Sequence, residues 1–227
     1  MEIKTKLCNP ANYGKSRGDS TISYIVIHYT SNLGDTAKNN ADYFAREVVE
    51  ASAHYFVDEN EIWNSVPPEY PAWHCGGGLQ GENGHTFFHQ CRNANSIGVE
   101  ICMTDRTGQV RMGSIAHAAK LVQMLMDKYH VGISHIIRHY DVTGKDCPAP
   151  MASDPNLWAA FKKQLASEEV LDMRYQYYDD MPVWAQPTIS KLVKKGLLKG
   201  SGDGVLDLGE DALKILVVND RAGLYDA

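Results

Sequence analysis

Apolar positions fall into short solid runs that alternate with longer stretches at helical spacing. Ile22 to Tyr29 (Ile-Ser-Tyr-Ile-Val-Ile-His-Tyr) is β-branched and almost wholly apolar, which predicts a central strand buried on both faces. Asp35 then predicts the cap of a helix to about Glu50, with Ala37, Ala41, Phe44, Ala45 and Val48 near helical spacing. Ala53–Val57 and Glu61–Val66 read as two strands joined by the turn Asp58-Glu59-Asn60, a hairpin. A glycine-rich loop follows from Cys75 to about Asn95, and Ile97–Cys102 reads as another strand. Ser114 predicts the cap of a helix to about His130, whose buried stripe is Ile115, Ala118, Ala119, Val122, Leu125, Met126 and Tyr129. Ile133–Arg138 reads as a strand, and Asp154-Pro155 starts a helix through about Ala166. Strands alternating with helices predict an α/β domain, a central mixed β-sheet flanked by helices, over residues 1–167.

Residues 168–180 are polar and aperiodic and read as a linker. Residues 181–227 carry two helical patterns, Pro182–Lys195 and about Gly209–Asn219, around a glycine turn at 200–204. A helix pair of that size has a marginal core and predicts a small α-helical domain that needs docking or repetition.

The chain has 227 residues and a formal charge of −6. That balance argues against a nucleic-acid partner, which demands positive faces. The five cysteines include no C-x-x-C pair and, being odd in number, do not read as a disulfide framework. The first residues lack the 7–15-residue apolar core of a secretory signal, and no stretch approaches the ~18 apolar residues that span a bilayer. The expectation is therefore synthesis in a reducing cytoplasm, without a signal peptide and without membrane insertion.

Three residues stand out as potential metal ligands: His28 and His139, each ending a strand, and Cys147 on the loop that follows. Two imidazoles and a thiolate suit zinc, and three protein ligands leave a fourth position open. Taken singly, a histidine or cysteine in a chain of this length is more often a packing or surface residue than a ligand.

The surrounding motifs add context. Ile25-Val26-Ile27-His28-Tyr29-Thr30, Ser52-Ala53-His54-Tyr55-Phe56-Val57, Ala72-Trp73-His74-Cys75-Gly76, Asn95-Ser96-Ile97-Gly98-Val99-Glu100, and Arg138-His139-Tyr140-Asp141-Val142 through Lys145-Asp146-Cys147-Pro148 occur in this order. The arrangement resembles the type 2 N-acetylmuramoyl-L-alanine amidases, which share a fold with peptidoglycan recognition proteins and small phage lysozymes of amidase activity. The resemblance covers roughly residues 20–165. It implies zinc-dependent hydrolysis of the amide between N-acetylmuramic acid and L-alanine in peptidoglycan, with His28, His139 and Cys147 as zinc ligands. It also implies Tyr55 as the catalytic tyrosine and Lys145 as the active-site lysine. Tyr55 would either donate a hydrogen bond to the oxyanion or orient the attacking water, and the sequence does not separate the two.

Outside that frame, a tyrosine in mid-strand is a core residue with a wet hydroxyl, and a loop lysine is solvated. His74, at the lip of the glycine loop, is expected to line the substrate groove. His54 alternates with Tyr55 and is read as structural, facing the opposite side. His85 and His89 read as surface residues, Cys102 as core, and Glu100 as a buried strand residue held by hydrogen bonds. No carboxylate stands out to protonate the leaving amine.

In the C-terminal segment, Asp180-Met181-Pro182-Val183-Trp184-Ala185, Gly196-Leu197-Leu198-Lys199-Gly200 and Asp203-Gly204 resemble the first half of a surface-layer-homology repeat, with a degenerate second half at Leu208-Gly209-Glu210-Asp211. That resemblance implies binding to the wall or a secondary wall polymer. The alternative is packing or oligomerisation through this domain. An amidase with a wall-binding tail resembles a phage or prophage endolysin, which acts on the wall after release. A non-catalytic binder of the same fold would lack metal ligands, a recycling amidase would need no wall module, and a metalloprotease would carry His-Glu-x-x-His, which is absent.

Overall fold

The computed structural model describes residues 1–17, 22–166 and 174–226. The chain divides into two compact units, residues 1–167 and 168–227. The first unit is built on a six-stranded mixed sheet. In chain order the strands are β1 (Lys4–Thr5), β2 (Tyr24–Tyr29), β3 (Tyr55–Val57), β4 (Ile62–Asn64), β5 (Ser96–Ile101) and β6 (Ile136–Arg138), and they lie in the spatial order β1-β4-β3-β5-β2-β6. Only β3 and β4, the hairpin, pair antiparallel. The apolar run of β2 lies between β5 and β6, as its composition demands.

Two faces of this sheet are covered differently. Ile25 and Ile27 of β2, Val99 and Ile101 of β5 and Ile136 of β6 join the main core with helices α2 (Met112–Tyr129), α4 (Ala149–Ser153) and α5 (Pro155–Ala166). The alternate residues Tyr24, Val26 and His28 point the other way. There Val26 packs with Val142 of the short helix α3 (His139–Thr143). On the same side, Phe56 packs against Ala37 and Ala41 of helix α1 (Ala37–Arg46). A one-residue slip of β2 would carry Ile25 and Ile27 out of the core and His28 into it. Each buried Ile contributes about 1.5–3 kcal/mol, so the register is strongly fixed.

Local signals misplace several element ends. The cap of α1 is Thr36, whose hydroxyl accepts from the Asn39 N–H at 3.1 Å, while Asp35 accepts from the Asn40 amide at 2.6 Å. The helix stops at Arg46 because buried Asn12 donates to the Glu47 carbonyl and accepts from the N–H groups of Val49 and Glu50. Ser114 lies inside α2, which begins two residues earlier, and His130 ends that helix in a left-handed conformation. Residues 133–135 form a 3-10 turn, so β6 begins only at Ile136.

The second unit has a two-stranded ribbon, β7 (Arg174–Tyr175) with β8 (Leu208–Gly209), and helices α6 (Gln186–Lys194) and α7 (Glu210–Arg221). Its small core is Met181, Ala185, Ile189, Leu213 and Val217. Of the expected linker 168–180, residues 168–173 lie outside the described residues. The remainder is structured: β7 pairs with β8, and Tyr178–Asp180 form a 3-10 turn. Among the described residues, no helix is long and apolar enough to cross a membrane.

Candidate metal centre and active site

His28, near the C-terminal end of β2, projects from the face opposite the main core and is almost fully buried. His139 opens α3 where β6 ends. Arg138 and Asp141 fix that junction: the Asp141 carboxylate accepts from the Arg138 N–H at 2.8 Å and pairs with its guanidinium at 2.7 Å. The Tyr140 N–H donates to the Cys147 carbonyl at 2.8 Å, which folds the following loop back so that its thiol meets the histidines. One ligand atom from each of His28, His139 and Cys147 lies within 4.8 Å of the others.

The glycine-rich loop docks on this assembly backbone to backbone. The Gln80 N–H donates to the Thr143 carbonyl and the His85 N–H to the Tyr140 carbonyl. A Cβ at Gly84 would sit 2.5 Å from the Tyr140 carbonyl oxygen, and one at Gly81 2.5 Å from that of Gly144. The glycines are there because two backbones cross at contact distance.

The donor set fits zinc. Ligand atoms at 2.0–2.3 Å from a tetrahedral ion lie roughly 3.3–3.8 Å apart, and His28 Nδ1 is 3.6 Å from Cys147 Sγ. His139 is buried, yet neither of its ring nitrogens has a hydrogen-bond partner among the described residues. Such orphaned nitrogens cost stability unless a ligand uses them. Burial holds His28 well below the usual histidine range, and nearby His139, His74 and Lys145 add to this. Burial, then the Lys145 charge, brings His139 down to about 4. Both imidazoles are therefore neutral, as coordination requires. Burial, then the Glu100 charge, pushes the Cys147 thiol up to about 12, so binding a dication there releases a proton.

The cavity around these residues is lined also by Trp73, His74, Glu100 and Lys145. It adjoins a groove bordered by Asn32, Asn39, Tyr43 and Phe56, with Tyr29, Phe44, Glu100, Lys145 and Cys147 common to both. Lys145 thus reaches the site that the resemblance assigns it. His74 lines the cavity, but both its ring nitrogens are engaged inward, at 3.0 Å from His28 Nε2 and 3.1 Å from Ser96 Oγ.

Tyr55 is a correction. It pairs with Val99, and its side chain belongs with Ile27, Val99 and Val57 in the main core, on the face away from His28. The residue of β3 facing the site is Phe56, which pairs with Glu100. We expect Tyr55→Phe to hydrolyse soluble muropeptides at the parent rate, whereas loss of an oxyanion donor would cost about 2.7–4 kcal/mol. A drop of that size in kcat would return Tyr55 to the site. His54 is structural, as expected: its Nδ1 accepts from the Gly98 N–H at 2.9 Å and its Nε2 lies 3.0 Å from the Tyr70 carbonyl. It nonetheless shares the side of the sheet on which His74 lies, their ring centroids 5.7 Å apart.

Glu100, read from the sequence as a buried strand residue held by hydrogen bonds, is a second correction. It is the register partner of His28, with Oε1 4.0 Å from His28 Nδ1 and its side chain 22% exposed. Its Oε2 is buried and has no hydrogen-bond partner among the described residues. Loss of solvation raises its carboxyl to about 8, with Lys145 pulling downward and Asp35 upward. The signal for it was a lone charge inside the apolar run Ile97–Ile101, which pairs directly with the strand of a candidate ligand.

A sequence model of the N-acetylmuramoyl-L-alanine amidase family matches residues 18–150. The N-acetylmuramoyl-L-alanine amidase CwlL of Bacillus licheniformis is 36% identical over 148 residues, which cover 63% of this chain and 40% of that relative. The chain thus spans about two fifths of the length of the curated relative it matches. The solved structure of PlyL superposes with a TM-score of 0.61 at 31% identity, covering 75% of this chain and all of that one. A mutant endolysin from Bacillus subtilis gives 0.59 at 26% identity, covering 72% and 98%.

Proposed function

The chain belongs to the N-acetylmuramoyl-L-alanine amidase family, and from that premise we propose that it hydrolyses the amide between N-acetylmuramic acid and L-alanine in peptidoglycan, using zinc, as a phage or prophage endolysin. The observation that carries the reading is the convergence of His28 with His139 and Cys147, more than one hundred residues further along the chain, beside a carboxylate whose buried Oε2 has no hydrogen-bond partner among the described residues. These three residues would hold the zinc, which when bound supplies Lewis acidity and lowers the pKa of water to about 7.

The chain's own residues supply the rest. The groove beside Glu100 admits the scissile amide. Glu100 Oε2 takes a proton from the attacking water and delivers it to the departing amine of L-alanine. Burial raises this carboxyl to about 8, where the protonated form that delivers the proton is well populated, and a dication held beside it would favour the ionised form that takes the proton up. The Lys145 ammonium faces the negative charge that grows on the carbonyl oxygen, where one such donor is typically worth about 2.7–4 kcal/mol. The test is metal analysis of the purified protein together with mass spectrometry of its peptidoglycan digest. New L-alanine N-termini without new reducing sugars are expected; new reducing ends would mean that a glycosidic bond is cut instead.

The second unit is read as a wall-binding module, supported by its likeness to a surface-layer-homology half-repeat, with a secondary wall polymer as a further partner. Tethering of this kind raises the local concentration of the catalytic unit on an insoluble substrate. Removing residues 168–227 is expected to weaken sedimentation with cell walls while sparing hydrolysis of soluble muropeptides. Unchanged wall binding would refute the targeting role, and a smaller species in sedimentation would assign the unit to assembly.

A further inference from the structure

We infer that His74 is a positioning residue that fixes the tautomer of His28, keeping the His28 proton on Nε2 and leaving Nδ1 bare toward Cys147. The inference rests on the metal-site reading above and adds a part to it.

The direction of the chain of hydrogen bonds follows from its far end. Ser96 Oγ lies 2.7 Å from the Arg92 carbonyl oxygen. A carbonyl can only accept, so the single hydroxyl proton of Ser96 is committed there. The other neighbours of that hydroxyl are the thiols of Cys75, at 3.6 Å, and Cys91, whose sulfurs are weaker acceptors than the carbonyl oxygen. Ser96 Oγ must then accept from His74 Nε2–H across 3.1 Å. The two nitrogens that meet at 3.0 Å, His74 Nδ1 and His28 Nε2, share one proton, and with the His74 proton committed to Ser96 we place it on His28 Nε2. The remaining lone pair of His28 is on Nδ1, 3.6 Å from the Cys147 sulfur. A ligand histidine oriented through its second nitrogen is the usual way in which a protein fixes both the ring and the donor atom.

The surroundings hold His74 to this task. Its N–H and that of Cys75 both donate to Asn93 Oδ1, at 3.1 and 2.9 Å. Its ring lies flat over β5 at Gly98, where a Cβ would come within 2.6 Å of His74 Cγ. Glycine at 98 is thus what allows the imidazole to lie between His28 and Ser96.

Two readouts on the full-length protein test this apart from catalysis. Long-range proton–nitrogen spectra of the zinc-free protein are expected to show His28 protonated on Nε2. His74→Phe keeps the ring shape and removes both nitrogens; it should weaken zinc binding, measured by competition with a chromogenic chelator, by about 10–100-fold. Ser96→Ala should shift the affinity in the same direction. Should His74→Phe fail to fold, the wild-type tautomer and Ser96→Ala still decide. A His28 proton on Nδ1, or wild-type zinc affinity in a folded His74→Phe protein, would overturn the role of His74 and leave the metal site standing. A wild-type protein that takes up no zinc at all would instead remove the metal-site reading, and this inference with it.

Discussion

Cys147→Ser is expected to leave the purified protein without zinc and to lower peptidoglycan hydrolysis at least about a thousandfold, equivalent to roughly 4 kcal/mol of transition-state stabilisation. The sulfur is one of three donor atoms within 4.8 Å of one another. A serine hydroxyl in its place neither ionises at neutral pH nor matches the affinity of a thiolate for zinc. The backbone of the loop is held independently, by the bond from the Tyr140 N–H to the Cys147 carbonyl, so the ligand geometry should otherwise persist. Burying a hydroxyl where a thiol was costs about 1–3 kcal/mol if it finds no partner. That cost is read separately, as a lower melting temperature of chelator-treated protein. Full lytic activity in a zinc-free Cys147→Ser protein would remove the proposed chemistry.

Glu100→Gln should retain zinc and lose about 10²–10⁴-fold in kcat, the range of a positioned proton carrier. The amide has the size of the carboxyl but cannot take a proton at neutral pH. Because the side chain is partly buried, removal of its charge also relieves the desolvation that raises the carboxyl to about 8. Stability should therefore hold or rise while activity falls. That opposition separates a proton carrier from a structural carboxylate, whose removal would lower both. Wild-type kcat in the zinc-loaded variant would transfer the proton role to another group, and Lys145 and Tyr29 also line both the cavity and the groove.

The alternation of solid apolar runs with helical stretches was sufficient for the α/β class, because β2 and α2 carry their periodicities unbroken. Helix ends were less legible. Asp35 is as good a local cap as Thr36, and the stop at Arg46 is imposed by Asn12, more than thirty residues away in the chain. The three candidate ligand positions, which the structure brings together, could be named because motif order carries long-range information that single residues lack.

The sequence by itself determined the α/β class, five of the six strands of the sheet and the donor types gathered around His28. Only the tertiary structure decided which side chains share the site. Alternation along a strand is known from sequence, but its parity toward the active face depends on cross-strand register and on which helices cover which face. In β3 the three apolar residues Tyr55, Phe56 and Val57 give no local clue, and the pairing of Tyr55 with Val99 places the tyrosine in the core. In β5 the pairing of Glu100 with His28 brings a carboxylate to the metal site from more than seventy residues away. Strand register is a non-local property, fixed by burial summed over the whole sheet, and no window of sequence contains it.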